Sequence, residues 1–182
     1  MDKKEKSVRF EELFLWMKAL VMMLLLVLGL VTFVGTPMGV QNISMMPTLS
    51  EQDTMIVRRA FYTPDRGDII VLSRHDFEDG AALVKRVVAL AGDVVDIDPM
   101  SGLVYVNGLA LHEPYVNDLT RRVGNIPLPF TVPAGHVFTL GDNRNNSMDS
   151  RDAEIGAVDE REIVGQVVAI VFPFGRARLF VH

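Results

Sequence analysis

The chain contains no cysteine. That excludes disulfide staples, thiolate nucleophiles and cysteine-ligated metal sites in one step, while leaving the compartment open. It has no basic excess either. Eighteen Lys and Arg stand against 23 Asp and Glu, for a net charge of -5, which argues against a nucleic-acid partner because such partners call for a basic face. The four histidines (His75, His112, His136, His182) are scattered without ligand spacing and read as structural. Lysine is scarce where it would count. Up to Lys18 the bases are Lys3, Lys4, Lys6, Arg9 and Lys18; beyond it every base is arginine, twelve in all, except Lys85. Arginine keeps its proton in a protein, whereas a desolvated lysine gives it up. Lys85 is therefore a candidate for proton transfer, unless chance or codon usage left it alone.

Among what is present, one long apolar run dominates. Ala19 to Val40 is 22 residues without a charge, enough for a hydrocarbon core that needs about 20. Lysines and Arg9 flank it on the N-terminal side, and no base follows until Arg58. The positive-inside rule then places the N-terminus in the cytoplasm and everything after residue 40 outside. The run exceeds the 7–15 residues of a cleaved signal sequence, and no small-x-small site follows it. The expected division is a cytoplasmic segment 1–18, a single transmembrane anchor 19–40 and an extracytoplasmic domain 41–182, in a cell membrane.

After Ser44 the chain reads as β. Short apolar segments recur at Thr54–Val57, Ile69–Leu72, Ala82–Leu90, Val94–Ile97, Leu103–Val106, Leu109–Leu111, Phe130–Val132, Val137–Leu140, Ile163–Phe172 and Arg178–Val181, with turn residues between them. Asn107-Gly108 is a strong two-residue hairpin signal. Glu113 to Pro129 is polar and irregular and reads as a surface excursion. Many short strands and no long amphipathic helix after residue 41 point to an all-β domain, a strongly coiled antiparallel sheet or barrel.

Three stretches carry candidate chemistry. Ser44 lies in Asn42-Ile43-Ser44-Met45-Met46-Pro47-Thr48, where Pro47 fixes its own backbone and biases Met46 toward an extended conformation. Lys85 lies in a strand whose alternation places it with Leu83, Val87 and Ala89 on one face. Among apolar neighbours the ammonium form is disfavoured, and a neutral amine is a general base able to take a proton from a serine hydroxyl. A snorkelling lysine is the other reading. The third stretch, Gly141-Asp142-Asn143-Arg144-Asn145-Asn146-Ser147-Met148-Asp149-Ser150-Arg151, is dense in hydrogen-bonding groups. Ser147 or Ser150 could orient a base. Asp149 with Arg151, or Asp142 with Arg144, could hold the loop rigid.

Together these blocks resemble the bacterial type I signal peptidases, membrane-bound serine proteases with a Ser-Lys dyad that remove signal peptides from exported proteins (peptidase family S26). Ser44-Met45-Met46-Pro47-Thr48, Arg66-Gly67-Asp68-Ile69-Ile70-Val71, the block from Lys85 to Asp93 and the block from Gly141 to Arg151 match in the family's order behind a matching anchor. The resemblance implies Ser44 as nucleophile, Lys85 as general base and Ser147 as the hydroxyl that orients it, with Asp149 and Arg151 bracing the region. It implies the Ser44 N–H as one oxyanion donor. The second donor, in some members a serine two residues before the nucleophile, would here be the Asn42 amide. Met45 and Val84 are candidates to line shallow pockets for small residues. The implied partners are signal-peptide-bearing preproteins and the lipid bilayer, and no metal or organic cofactor is implied. A repressor-type Ser-Lys protease would carry a DNA-binding domain in place of the span. An anchored β-domain that binds a partner without catalysis is the reading from another class.

Overall fold

The computed structural model describes residues 3–33, 35–73 and 82–180. His75, Val181 and His182, named above, lie outside them. The polypeptide begins as helix α1, Lys3–Phe33, about 46 Å long at 1.5 Å per residue. Leu, Met and Ala are strong helix formers, and Thr36-Pro37 cannot continue a helix because the proline lacks an N–H and restricts the residue before it. Every described side chain from Phe10 to Leu28 is exposed. Within it Phe10–Gly29 is long and apolar enough to cross a membrane, with none of it buried against the rest of the chain. An apolar cylinder of that length needs a non-aqueous surrounding. The uncharged run counted to Val40 thus divides. Its last residues, Thr36–Gly39, form strand β1, because their backbone groups pair with the next strand and do not extend the helix.

The remaining strands are β2 Thr54–Arg58, β3 Ile69–Ser73, β4 Ala82–Ala89, β5 Val94–Asp98, β6 Leu103–Val106, β7 Leu109–Ala110, β8 Phe130–Thr131, β9 His136–Leu140, β10 Val158–Asp159, β11 Ile163–Phe172 and β12 Arg178–Leu179. They build two antiparallel sheets. The larger has the order β1-β2-β11-β3-β4-β9-β10, with β12 on β11; the smaller has the order β7-β6-β5-β8. The protein is mostly β-sheet behind an N-terminal apolar helix. Neither sheet closes among the described residues, where β1 and β10 end the larger one, so the barrel expected from the strand count is not seen. Ten-residue β11 pairs with β2, β3 and β12 and shifts register at several points. Such bulges bend the strand and increase its local twist.

Asn107 and Gly108 both adopt positive φ, 54° and 78°, and join β6 to β7 as the Asn-Gly signal predicts. Asp93 ties the two sheets together. It accepts hydrogen bonds from Arg66 Nε (3.0 Å), Asn107 Nδ2 (2.8 Å) and the Leu90 N–H (2.7 Å). Burial alone would raise its carboxyl pKa, and these donors outweigh burial and hold it below the usual range.

One core cluster gathers Val40, Met45, Leu49, Met55, Val57 and Val84; a second joins Val95, Ile97, Val104 and Val106 of the small sheet to Phe138 and Leu140 of β9. A third contains Ile70, Leu83 and Val87. Strict alternation would put Ala89 with Leu83 and Val87. A register shift between Val87 and Ala89 sends it into the second cluster beside Val88.

Candidate active site

Register brings the site together. In the pairing of β4 with β9, Arg86 faces Leu140. The antiparallel step beyond Leu140 sets Gly141 and Asp142 beside Lys85. The loop 40–53 reaches the same place because Met45 and Leu49 are sunk in the core, neither of them exposed. This loop is not the extended segment expected from Pro47. It is a chain of turns, with Met46 N–H bonded to the Ile43 carbonyl (3.0 Å), Leu49 N–H to the Met45 carbonyl (2.9 Å) and a cis Met46–Pro47 peptide. Burying two side chains four residues apart selects that wrapped backbone over an extended one, which would separate them.

Ser44 is 6% exposed and Lys85 2% exposed. Lys85 Nζ donates to Ser44 Oγ at 3.0 Å and to the Val84 carbonyl at 3.0 Å. The Ser44 hydroxyl in turn donates to Asn42 Oδ1 at 2.7 Å, and the Ser44 backbone N–H donates to the same oxygen at 3.3 Å. Asn42 thus presents its carbonyl, not its amide nitrogen, to Ser44. On the far side, Asn143 N–H donates to the Ser44 carbonyl (3.0 Å) and Asn143 Nδ2 to the Ile43 carbonyl (3.1 Å). Among the described residues Ser147 Oγ is buried with no hydrogen-bond partner, so the expected Ser147–Lys85 bond is not formed. Met45 and Val84 belong to the first core cluster, and together they offer almost no free surface.

The loop after β9 is held by buried charge. Asp149 and Arg151 have wholly buried side chains and pair through Nε–Oδ1 at 2.7 Å and Nη2–Oδ2 at 2.8 Å. Asp149 also accepts the Gly141 N–H at 2.9 Å, and Arg151 donates to the Arg144 carbonyl at 2.7 Å. The alternative pairing, Asp142 with Arg144, does not occur. Asp142 takes a bidentate bond from Arg86 (2.8 and 2.7 Å) and accepts the Thr48 hydroxyl. One carboxylate thereby joins β4, the Ser44 loop and the loop after β9. Arg144 pairs with Glu113 and Thr120. Burial alone would lower the Arg144 pKa, and Glu113 reverses that and raises it.

The excursion Glu113–Pro129 is therefore not a free surface loop. Asn145 Oδ1 accepts the N–H groups of Arg121 and Arg122, Arg122 pairs with Asp152, and the Tyr115 ring lies 3.9 Å from the Arg86 guanidinium. Arg86, Glu113 and Tyr115 escaped sequence reasoning, and Asp142 was expected with Arg144 instead of Arg86. Their partners lie tens of residues away, and only the density of polar side chains in 141–151 hinted at a network.

Gly141 is required by close approach. A Cβ there would stand 2.1 Å from Ser147 Oγ, 2.4 Å from Ser147 Cβ and 2.5 Å from the Ser44 carbonyl oxygen. Gly141→Ala is expected to cost about 1–3 kcal/mol of unfolding free energy, read by denaturant melts. An unchanged midpoint would mean that Ser147 and Ser44 yield freely, contrary to the packing described.

Comparison with known proteins follows the same lines. The family described as "Signal peptidase, peptidase S26" matches residues 13–172. A signal peptidase I of Bacillus licheniformis is 30% identical over 98% of this chain and 98% of its own. Signal peptidase I P of Bacillus subtilis subsp. natto is 34% identical over 97% of this chain and 96% of its own. A crystallised signal peptidase I from Enterococcus faecalis V583 shares 30% identity, covering 59% of this chain and 99% of that one, at a TM-score of 0.47. The chain belongs to the signal peptidase family, peptidase S26, and is a serine endopeptidase.

Proposed function

We propose that the protein cleaves signal peptides from exported preproteins, with Ser44 as nucleophile and Lys85 as general base. The observation that carries this is the 3.0 Å contact between Lys85 Nζ and Ser44 Oγ, two buried groups 41 residues apart. A buried amine is disfavoured as ammonium. In its neutral form Lys85 takes the Ser44 proton, Ser44 Oγ adds to the scissile carbonyl, and the new N–H of Lys85 passes its proton to the leaving amine. A water activated by Lys85 then hydrolyses the acyl-enzyme. The Ser44 N–H and the Asn42 amide are the proposed oxyanion donors. Ser147, whose buried hydroxyl is uncommitted among the described residues, is the proposed orienting group for Lys85. The Asp149–Arg151 pair braces the loop. Met45 and Val84 form the floor beneath small substrate residues.

The protein is membrane-anchored through its N-terminal helix. We assign the basic N-terminal flank to the cytoplasm, the apolar part of α1 to a single span and the β-domain that begins at β1 to the outside of the cell membrane, on the basic flank before the run and its absence after it. The bilayer and the preprotein are the proposed partners, and no nucleic acid is among them. No observation favours a binding domain without catalysis.

The test is cleavage of a preprotein carrying an Ala-x-Ala site by the detergent-solubilised full chain beside its Ser44→Ala variant. The parent is expected to cut after the site, and the variant to lose about 10³-fold or more. Equal cutting by both, or none by the parent, overturns the reading.

A further inference from the structure

A hydroxyl has one proton. At Ser44 that proton is given to Asn42 Oδ1 at 2.7 Å, while Lys85 faces the same Oγ as a donor at 3.0 Å. The hydroxyl cannot donate to both. The orientation of the Asn42 amide is fixed independently by the Ser44 backbone N–H, which can only donate and which meets the same Oδ1 at 3.3 Å. This is an Asx turn, an Asn side chain accepting from the backbone two residues on. One carbonyl therefore holds both groups that acyl transfer needs: the proton Lys85 must remove and the N–H that must face the oxyanion.

We propose that Asn42 is a latch on the nucleophile, closed by its carbonyl and opened by a half-turn of its amide plane. The proposal rests on the reading of Ser44 and Lys85 as a catalytic pair. The half-turn replaces Oδ1 by Nδ2. Ser44 N–H and Asn42 Nδ2–H then stand as two donors side by side, an arrangement that suits an oxygen carrying negative charge and nothing else in the turn. The hydroxyl, deprived of its acceptor, gives its proton to the lone pair of neutral Lys85. Ser44 Oγ bonds to the substrate carbonyl carbon, the carbonyl oxygen takes the negative charge, and the proton leaves on Lys85 for the departing amine.

The proposed motion is one of the side chain alone. The Ser44 and Ile43 carbonyls are pinned by Asn143 and the Met45 side chain is buried, so the backbone stays while the half-buried Asn42 side chain turns. A substrate carbonyl entering beside Ser44 supplies the acceptor that favours the open form. A serine hydrolase with this latch keeps its nucleophile protonated and turned away from its base until a substrate arrives.

The test compares the full-length parent in detergent with Asn42→Ala, Asn42→Ser and Asn42→Asp, measuring kcat and KM separately on the Ala-x-Ala preprotein. Cleavage by the parent and its loss on replacing Lys85 establish the catalytic pair, so the Asn42 series bears on the latch alone. Asn42→Ala loses a donor and is expected to fall about 10²-fold in kcat. Asn42→Ser, whose hydroxyl donates as well as accepts, is expected to stay within about tenfold of the parent. Asn42→Asp can accept from Ser44 and never donate, so it is expected about tenfold below Asn42→Ala with KM unchanged. A second readout is nitrogen-15 NMR of the labelled parent with a peptide aldehyde, whose carbonyl adds Ser44 Oγ and leaves an oxyanion. The Asn42 side-chain and Ser44 amide signals are expected to shift together. If Asn42→Asp is as fast as Asn42→Ala, or the Asn42 side-chain signal does not move in the adduct, the latch is wrong.

Discussion

Lys85→Met is expected to lower kcat on an Ala-x-Ala preprotein by about 10³-fold or more, within the range for loss of a general base, while the protein melts at or above the parent temperature. The two halves of this expectation have separate causes. Methionine keeps an unbranched stem of similar length in the space that Lys85 fills at 2% exposure between β3 and β9, so packing survives. It removes an amine whose burial costs desolvation and returns only part of that through bonds to Ser44 and the Val84 carbonyl. Chemistry and stability therefore move in opposite directions. A purely structural lysine would move them together, with a lower melting temperature and a proportionate loss of active protein. Retention of activity within tenfold would remove Lys85 as the base.

Asp149→Ala is expected to destabilise the fold by about 3–5 kcal/mol, the cost of breaking a buried pair by deleting one partner. Arg151 would be left charged at 0% exposure, with the carbonyls of Arg122 and Arg144 as its remaining acceptors. The Gly141 N–H would lose its acceptor as well. Against a typical total of 5–15 kcal/mol this is a large fraction, and the melting temperature is expected to fall by roughly 10 °C. Asp159→Asn is the control. It breaks the Arg161 ion pair, whose arginine is 90% exposed, and should leave the melting temperature unchanged because exposed pairs are screened by solvent. If both variants melt alike, burial does not set the worth of the Asp149–Arg151 pair.

The reach of the sequence follows from which forces are local. Hydropathy marked the N-terminal helix, and period-two alternation with turn residues marked most strands, because both patterns are written within ten or twenty consecutive residues. The Asn107-Gly108 hairpin was legible for the same reason: two adjacent residues that tolerate positive φ decide it. Ser44 and Lys85 were legible as candidates, one by its motif and the other as the lone lysine among twelve arginines beyond Lys18, and the structure brings them within 3.0 Å of each other.

Tertiary structure alone decided who partners whom. Arg144 sits two residues from Asp142 and seemed its natural mate, yet Arg86 takes Asp142 and Glu113 takes Arg144. An ion pair forms where register aims the side chains, and register across β4 and β9 is a long-range fact. The same cause put β1 where an unbroken helix had been expected, since Thr36–Gly39 met a partner strand in β2. It folded the 113–129 excursion onto the loop after β9 and left the sheets open. Asn42 is the sharpest case. Its identity was plain in the chain, but the way its amide faces was fixed by the turn around Ser44, where a backbone N–H accepts no hydrogen bond and so chose the carbonyl.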